Sequence, residues 1–329
     1  MKRLNTIIFV LVVFSLLLRC KKPEPIQVIP TPEEEVFDIL STDNSNLSSN
    51  NITSLMEVNG KIWIGSDVGI DIYDNNLWSH INVNNSALPN NKINCIQEDN
   101  QGNVWIGTDA GLAKYENGNL TVFNTSNSGL ITNKIRSLDF DSNNVLWIGT
   151  FSGGGLIKYD GALWESFTPA NSGLPNNSIG AINVDINNVV WLGTAGGLTS
   201  FDGTNWVTYH QGNSGMPNNS IFSIYEDSDD ILWIGSNGGL TSYDLQTWTT
   251  FNTQNSGLPI NLVRPILMEI SDEMWIGTDG GGLVLKQGND WTIFDQSNSN
   301  LPSEKISSLV TDSQGNVWVG SDNGISVIM

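Results

Sequence analysis

The core Trp-[Ile/Leu/Val]-Gly recurs seven times along this chain, at Trp63, Trp105, Trp147, Trp191, Trp233, Trp275 and Trp318. Successive intervals are 42, 42, 44, 42, 42 and 43 residues. A fixed period of that size marks an array of one supersecondary unit whose apolar faces are buried by its neighbours. Each unit holds four short strand signals: an Ile-x-small-Ile/Leu segment (135–138), the Trp strand (145–149), a Gly-Leu-x-x-Tyr-Asp segment (239–244) and a Trp-x-x-Phe segment (248–251). Short β-branched and aromatic runs bounded by Gly, Asn and Asp read as hairpins. No helical apolar period is sustained beyond the N-terminal region.

The Trp strand is apolar on both faces, with Val104 and Ile106 pointing one way and Trp105 the other. A sheet with one wet face would show polar residues there. Each four-stranded sheet is therefore covered on both sides, as blades are in a propeller. The Gly after each Trp leaves room for close backbone approach. A column of small residues, Ser54, Cys95, Ser137, Ala181, Ser223, Pro265 and Ser308, fits innermost strands crowded near an axis. Cys95 stands in that column and reads as a small buried residue.

The last unit stops after its third strand, at 324–329, while residues 36–40 match the outer-strand segment that begins at Thr292. The N-terminal strand is thus expected to complete the C-terminal blade, removing exposed edges. The expected fold is all-β: a closed seven-bladed propeller of four antiparallel strands per blade, spanning 36–329.

With Asp99 to Leu112 and Asp312 to Ile325 on the page, the pattern Asp/Glu-x-x-Gly-Asn-Val-Trp-Ile-Gly-Thr-x-x-Gly-Leu resembles the two-component regulator propeller repeats. That resemblance covers 36–329. It implies kinship with the periplasmic sensor regions of bacterial hybrid histidine kinases, in which paired propellers sense oligosaccharides. This sequence stops with one ring and holds no kinase or receiver, so the resemblance implies recognition without an output stage.

The N-terminus adds an address. Met1-Lys2-Arg3 precedes a twelve-residue apolar run from Ile7 to Leu18. The run is shorter than the roughly 20 residues of a membrane span and fits a secretory signal. Leu17-Leu18-Arg19-Cys20 resembles the lipobox of bacterial lipoproteins, with Arg19 where Gly, Ala or Ser is usual. Residues 1–20 are expected to be a signal peptide, with Cys20 the lipidated residue of a membrane-anchored envelope protein. Ordinary cleavage nearby and an uncleaved short anchor are the alternatives. Residues 21–35, with four prolines and four glutamates, form an extended charged tether.

After Cys20 the chain keeps 11 basic against 34 acidic residues, a net of −23. Such a surface repels phosphate backbones, which excludes nucleic acid as a partner. Nine carboxylates recur at equivalent turns, Asp99, Asp141, Asp185, Asp227 and Asp312 in one set and Asp74, Asp160, Asp202 and Asp244 in another. Turn chemistry explains them, whereas an acid–base pair needs one special place. His80 and His210 fall in fourth-strand segments at the rim. The Asp-rich turns lack the final Glu of an EF-hand loop, so no cofactor is expected and calcium enters only as a structural ion. No catalytic residue is assigned.

The repeat breaks on one face. Residues 150–155 are two longer than their counterparts, and 279–282 one longer. Five basic residues, Lys92, Lys134, Arg136, Arg264 and Lys305, adjoin first strands at this rim. The candidate ligand-binding residues are Lys134, Arg136, Phe151, Phe222, Arg264, Asp279 and Lys305. They suggest a basic mouth for a carboxylate-bearing or sulfated sugar, with Phe151 or Phe222 as a stacking platform. The expected function is non-catalytic extracytoplasmic recognition of an oligosaccharide or peptide. A protein-binding scaffold of the envelope and a lyase- or hydrolase-type propeller enzyme are the alternatives.

Overall fold

The computed structural model describes residues 37–151, 153–269 and 273–329. The signal segment 1–20, Cys20 and the tether 21–35 lie outside the described residues.

Every regular element described is a strand. Blade 1 contains β2 (Ile52–Val58), β3 (Lys61–Ser66), β4 (Ile70–Asp74) and β5 (Leu77–Ile81). Blade 2 contains β6 (Ile93–Glu98), β7 (Val104–Thr108), β8 (Gly111–Glu116) and β9 (Asn119–Phe123). Blade 3 contains β10 (Ile135–Phe140), β11 (Leu146–Thr150), β12 (Leu156–Tyr159) and β13 (Trp164–Phe167). Blade 4 contains β14 (Ile179–Val184), β15 (Val190–Thr194), β16 (Gly197–Phe201) and β17 (Trp206–Tyr209). Blade 5 contains β18 (Ile221–Glu226), β19 (Leu232–Ser236), β20 (Gly239–Tyr243) and β21 (Trp248–Phe251). Blade 6 contains β22 (Val263–Met268), β23 (Glu273–Thr278), β24 (Leu283–Gln287) and β25 (Asp290–Phe294). Blade 7 contains β26 (Ile306–Thr311), β27 (Val317–Ser321) and β28 (Gly324–Ile328), and its fourth strand is β1 (Phe37–Leu40).

The ring closes twice over. The first strands β2, β6, β10, β14, β18, β22 and β26 each lie beside the next, and β26 lies beside β2. The chain's first strand is also zipped to its last, with Phe37 opposite Ile328 and Leu40 opposite Ile325 in antiparallel register. Pairing β1 with β28 leaves no inner strand of blade 7 as a bare edge.

The core sits between sheets. Every residue of β7, β11, β15, β19 and β27 is buried. One apolar cluster joins Trp105 and Leu112 of blade 2 to Ile135, Leu146, Ile148 and Ile157 of blade 3. The Gly after each Trp serves a different purpose from the one expected. A Cβ on Gly107 would stand 2.4 Å from Cys95 Sγ and 2.7 Å from Ile135 Cγ2 of the next blade. Side chains approach it more closely than backbone does, because the next blade's first isoleucine keys into the gap.

Asp turns hold the first hairpin in five blades. Asp99 accepts hydrogen bonds from the Gln101 and Asn103 backbone N–H groups, at 3.0 and 2.9 Å, and from the Trp105 indole at 3.0 Å. Asp185, Asp227 and Asp312 take Trp191, Trp233 and Trp318 the same way. Trp147 is the exception, its Nε1 buried without a partner. Burial alone would raise the Asp99 carboxyl, but the Trp105 and Asn103 donors outweigh it and hold it below its ordinary value. The left-handed position of this turn carries Gly102, Asn144, Asn188, Asp230 or Gly315, residues that tolerate positive φ.

Candidate functional site

Every first strand has a register break just after its first residue. In six blades one residue is left over there, and in blade 6 the break spans Arg264 and Pro265. A bulge re-aims the side chain it carries. The residues so placed are Thr53, Asn94, Arg136, Gly180, Phe222, Arg264 and Ser307, and all seven line one cavity of about 470 Å³. Lys92 and Lys305 join it from the approach to the first strand, and Asp279 and Asp322 from the loop between second and third strands.

The mouth is more balanced in charge than the sequence suggests. Arg264 donates from Nε and Nη2 to one Asp279 oxygen, at 2.8 and 2.6 Å. Lys92 meets Asp109 at 3.0 Å and Lys305 meets Asp322 at 3.8 Å. The expected basic mouth is therefore corrected to one in which three of its cations are paired, because in blades 2, 6 and 7 the loop after the second strand brings an Asp beside the same blade's cation. Burial alone would raise the Asp109 carboxyl, yet the Asn94 amide and Lys92 ammonium hold it below its ordinary value. Among the described residues no ion pair involves Arg136.

The other ring positions are spent or open. Asn94 donates to Asp109 and to the Ile135 carbonyl of blade 3, both at 2.8 Å. Ser307 donates to the Ile52 carbonyl of blade 1 at 2.6 Å. Both tie neighbouring first strands together. The Arg264 guanidinium stands over the Phe222 ring, 5.0 Å from its centroid. Gly180 offers no side chain, and Thr53 Oγ1 is buried without a partner. Arg136, Gly180 and Phe222, from consecutive blades, thus form an arc with one unpaired cation, one gap and one ring.

Of the residues singled out from sequence, Arg136, Phe222, Arg264, Asp279 and Lys305 share this cavity. Lys134 and Phe151 are not in its lining. They sit together beside it, the Phe151 N–H donating to the Lys134 carbonyl at 3.0 Å, with Phe151 54% exposed. Sequence reasoning missed Thr53, Asn94, Gly180 and Ser307. Their signal was available: the second residue of each first strand differs in nearly every repeat.

Other titratable groups lie off the mouth. The half-buried Cys95 thiol is pushed up to about 12 by desolvation, only partly opposed by Arg136. Burial pushes the Asp139 carboxyl up to about 6 despite donors from Val184 N, Phe140 N and Gln97 Nε2. His210 lies just past β17, not within it, and caps the exit turn by accepting the Gly212 N–H at 3.0 Å. Among the described residues no group of three or more His, Cys, Asp and Glu converges as metal ligands.

Closed ring, four antiparallel strands in every sheet, polar cavity at one end of the innermost strands: the chain is a seven-bladed β-propeller. More narrowly, five of its segments, residues 87–110, 129–152, 173–196, 215–238 and 300–323, match the model of the two-component regulator propeller repeats. No curated protein matches the chain. Among solved structures it is similar to the extracellular domain of the putative hybrid two-component system BT3049 from B. thetaiotaomicron. That likeness has 21% identity, 89% of this chain covered against 42% of the other, and a TM-score of 0.77. The corresponding domain of BT4673 from the same organism gives 23% identity, 89% and 39% coverage, and a TM-score of 0.72. The chain thus spans about two-fifths of both. Virginiamycin B lyase from Staphylococcus aureus is similar at 13% identity, with 90% and 99% coverage and a TM-score of 0.72. At these identities the likeness speaks for the fold alone.

Proposed function

We propose that this propeller is a non-catalytic, extracytoplasmic recognition protein that binds an oligosaccharide or peptide at the channel mouth. The observation that carries the reading is the ring of seven re-aimed residues. The blades repeat their strands, turns and seams, yet differ from one another where their innermost strands open onto the cavity. A scaffold needs no such variety, and a ligand of irregular shape does.

The arc of Arg136, Gly180 and Phe222 gives the ligand its chemistry. An unpaired guanidinium receives a carboxylate or sulfate by paired N–H donors. The Phe222 ring, made electron-poor on one face by Arg264, offers its body to a sugar face or an apolar side chain. The placement outside the cytoplasm draws on the secretory pattern of the N-terminus and on the extracellular origin of the sensor domains it resembles. The Cys20 anchor remains part of this proposal, and Cys20→Ala is expected to move the protein from the membrane to the soluble fraction.

Calorimetric titration with acidic and neutral oligosaccharides tests the reading. Arg136→Ala is expected to weaken binding of acidic members about tenfold, on the order of 1.5 kcal/mol for a lost charged hydrogen bond. Equal affinity of wild type and variant for every sugar bound would remove the site.

A further inference from the structure

Four of the seven seams between blades share a second device, and the seam of blades 1 and 2 is among those that lack it. In blades 3 to 6 the fourth strand brings a tryptophan, Trp164, Trp206, Trp248 or Trp291, onto a bare glycine of the preceding exit loop. A Cβ on Gly129, Gly173, Gly215 or Gly257 would stand 2.2 to 2.4 Å from that tryptophan's own Cβ. In blades 3, 4 and 5 the indole also stacks on the aromatic residue opposite it in the hairpin. Tyr159–Trp164, Phe201–Trp206 and Tyr243–Trp248 have centroids 4.1, 4.2 and 3.8 Å apart and planes within 19°.

At the seam of blades 1 and 2 both partners change. Leu120 stands where the tryptophan would be, opposite Tyr115, and Ala87 stands where the glycine would be. Tyr115 keeps its edge contact with Trp63, at 5.0 Å, but has no indole on its own hairpin. The seam opens to solvent as a cavity of about 520 Å³, bordered by Tyr115, Leu120, Ala87, Ile72 and Ile81.

Blade 1 breaks the repeat a second time, on its other face, toward blade 7. Asp71, 1% exposed, and His80 face each other where blades 4 and 5 pair Thr199 with Thr208 and Thr241 with Thr250. Asp71 accepts the Ser48 N–H at 2.8 Å and the Ser48 hydroxyl at 2.7 Å, and also contacts His80 Nδ1. Ser48 stands where most other exit loops have proline, which has no N–H to give. With Nδ1 committed to Asp71 and Ser48, the imidazole is held on the face of blade 1 turned to blade 7, away from the cavity.

We propose that the seam of blades 1 and 2 is a second binding site, which takes a planar aromatic group of indole size. The group fills the space its neighbours give to tryptophan and stacks on Tyr115. The internal copies state the fit: the same backbone, elsewhere in this chain, is completed by an indole on an aromatic ring. The proposal is independent of ligand binding at the mouth.

Titration of the full chain, followed by ligand-observed NMR, tests it with two probes: free indole and a Gly-Gly-Trp-Gly-Gly peptide. Saturable binding of either is expected, and the better probe tells whether the ring comes free or on a polypeptide. Restoring the repeat with A87G/L120W should weaken that binding at least tenfold, because the new indole occupies the site. Tyr115→Leu should weaken it at least threefold, and decides the matter if the double variant does not fold. No saturable binding of either probe to wild type, or binding unchanged in Tyr115→Leu, would overturn the proposal.

Discussion

At one end of the innermost strands the blades agree, and at the other they differ. The hairpin end carries the same Asp turn in five blades, at Asp99, Asp141, Asp185, Asp227 and Asp312. The mouth end carries Thr53, Asn94, Arg136, Gly180, Phe222, Arg264 and Ser307, six residue types in seven places. Both ends belong to the same strands and answer to the same ring geometry. Folding therefore demands the Asp turn and leaves the mouth free, and what fills the mouth answers to something outside the fold.

The largest expected effect lies where the ring is zipped. Deleting Phe37 to Leu40 strips the ladder from β28 and uncovers the buried Phe37 contact with Phe294. A loss of about 5 kcal/mol is expected from one large side chain and several backbone hydrogen bonds, measurable by denaturant unfolding. A near-native midpoint would mean closure by the first strands suffices. Next comes the conserved-looking end itself. Asp99→Ala leaves the Trp105 indole and the Asn103 N–H without their acceptor. About 3 kcal/mol should be lost, against less than about 0.5 kcal/mol for Arg136→Ala at the other end. Similar losses for the two would break the comparison.

Two carboxylates away from the mouth, Asp99 and Asp139, carry opposite pH signatures. The depressed Asp99 carboxyl adds stability above the ordinary carboxylate range, which is lost as pH falls. Asp139, raised to about 6, does the reverse. Its folded state holds a proton that the unfolded chain has released, so its contribution is complete below the ordinary value of 3.8 and fades as pH rises through about 6. Between those limits Asp139→Asn should remove about 2 kcal/mol of decline on raising pH, given roughly 1.4 kcal/mol per unit and partial solvent screening. Parallel stability–pH curves for variant and wild type would contradict the assignment.

The fold was open to reading because its signal was periodic. Trp63 through Trp318 counted the blades, and the mismatch between residues 36–40 and 324–329 placed the closing strand. The site was harder. Arg264 and Lys305 were visible as charges, but their partners Asp279 and Asp322 lie on a different loop, and only the three-dimensional register shows the pairing. Gly180 and Thr53 carry no chemical flag, and only the bulge brings them to the mouth. The cluster of Ser48, Asp71 and His80 was invisible for the same reason: its members come from an exit loop and two strands, and the sequence showed only a lone rim histidine.

Binding on an oligosaccharide array by wild type and by Arg136→Ala/Phe222→Ala, at equal folded concentration, tests the central claim most directly. The account predicts acidic hits for wild type that weaken at least tenfold in the double variant, while its melting temperature stays within about 2 °C. An empty array for wild type would contradict a sugar ligand, and hits indifferent to both substitutions would contradict recognition at the mouth.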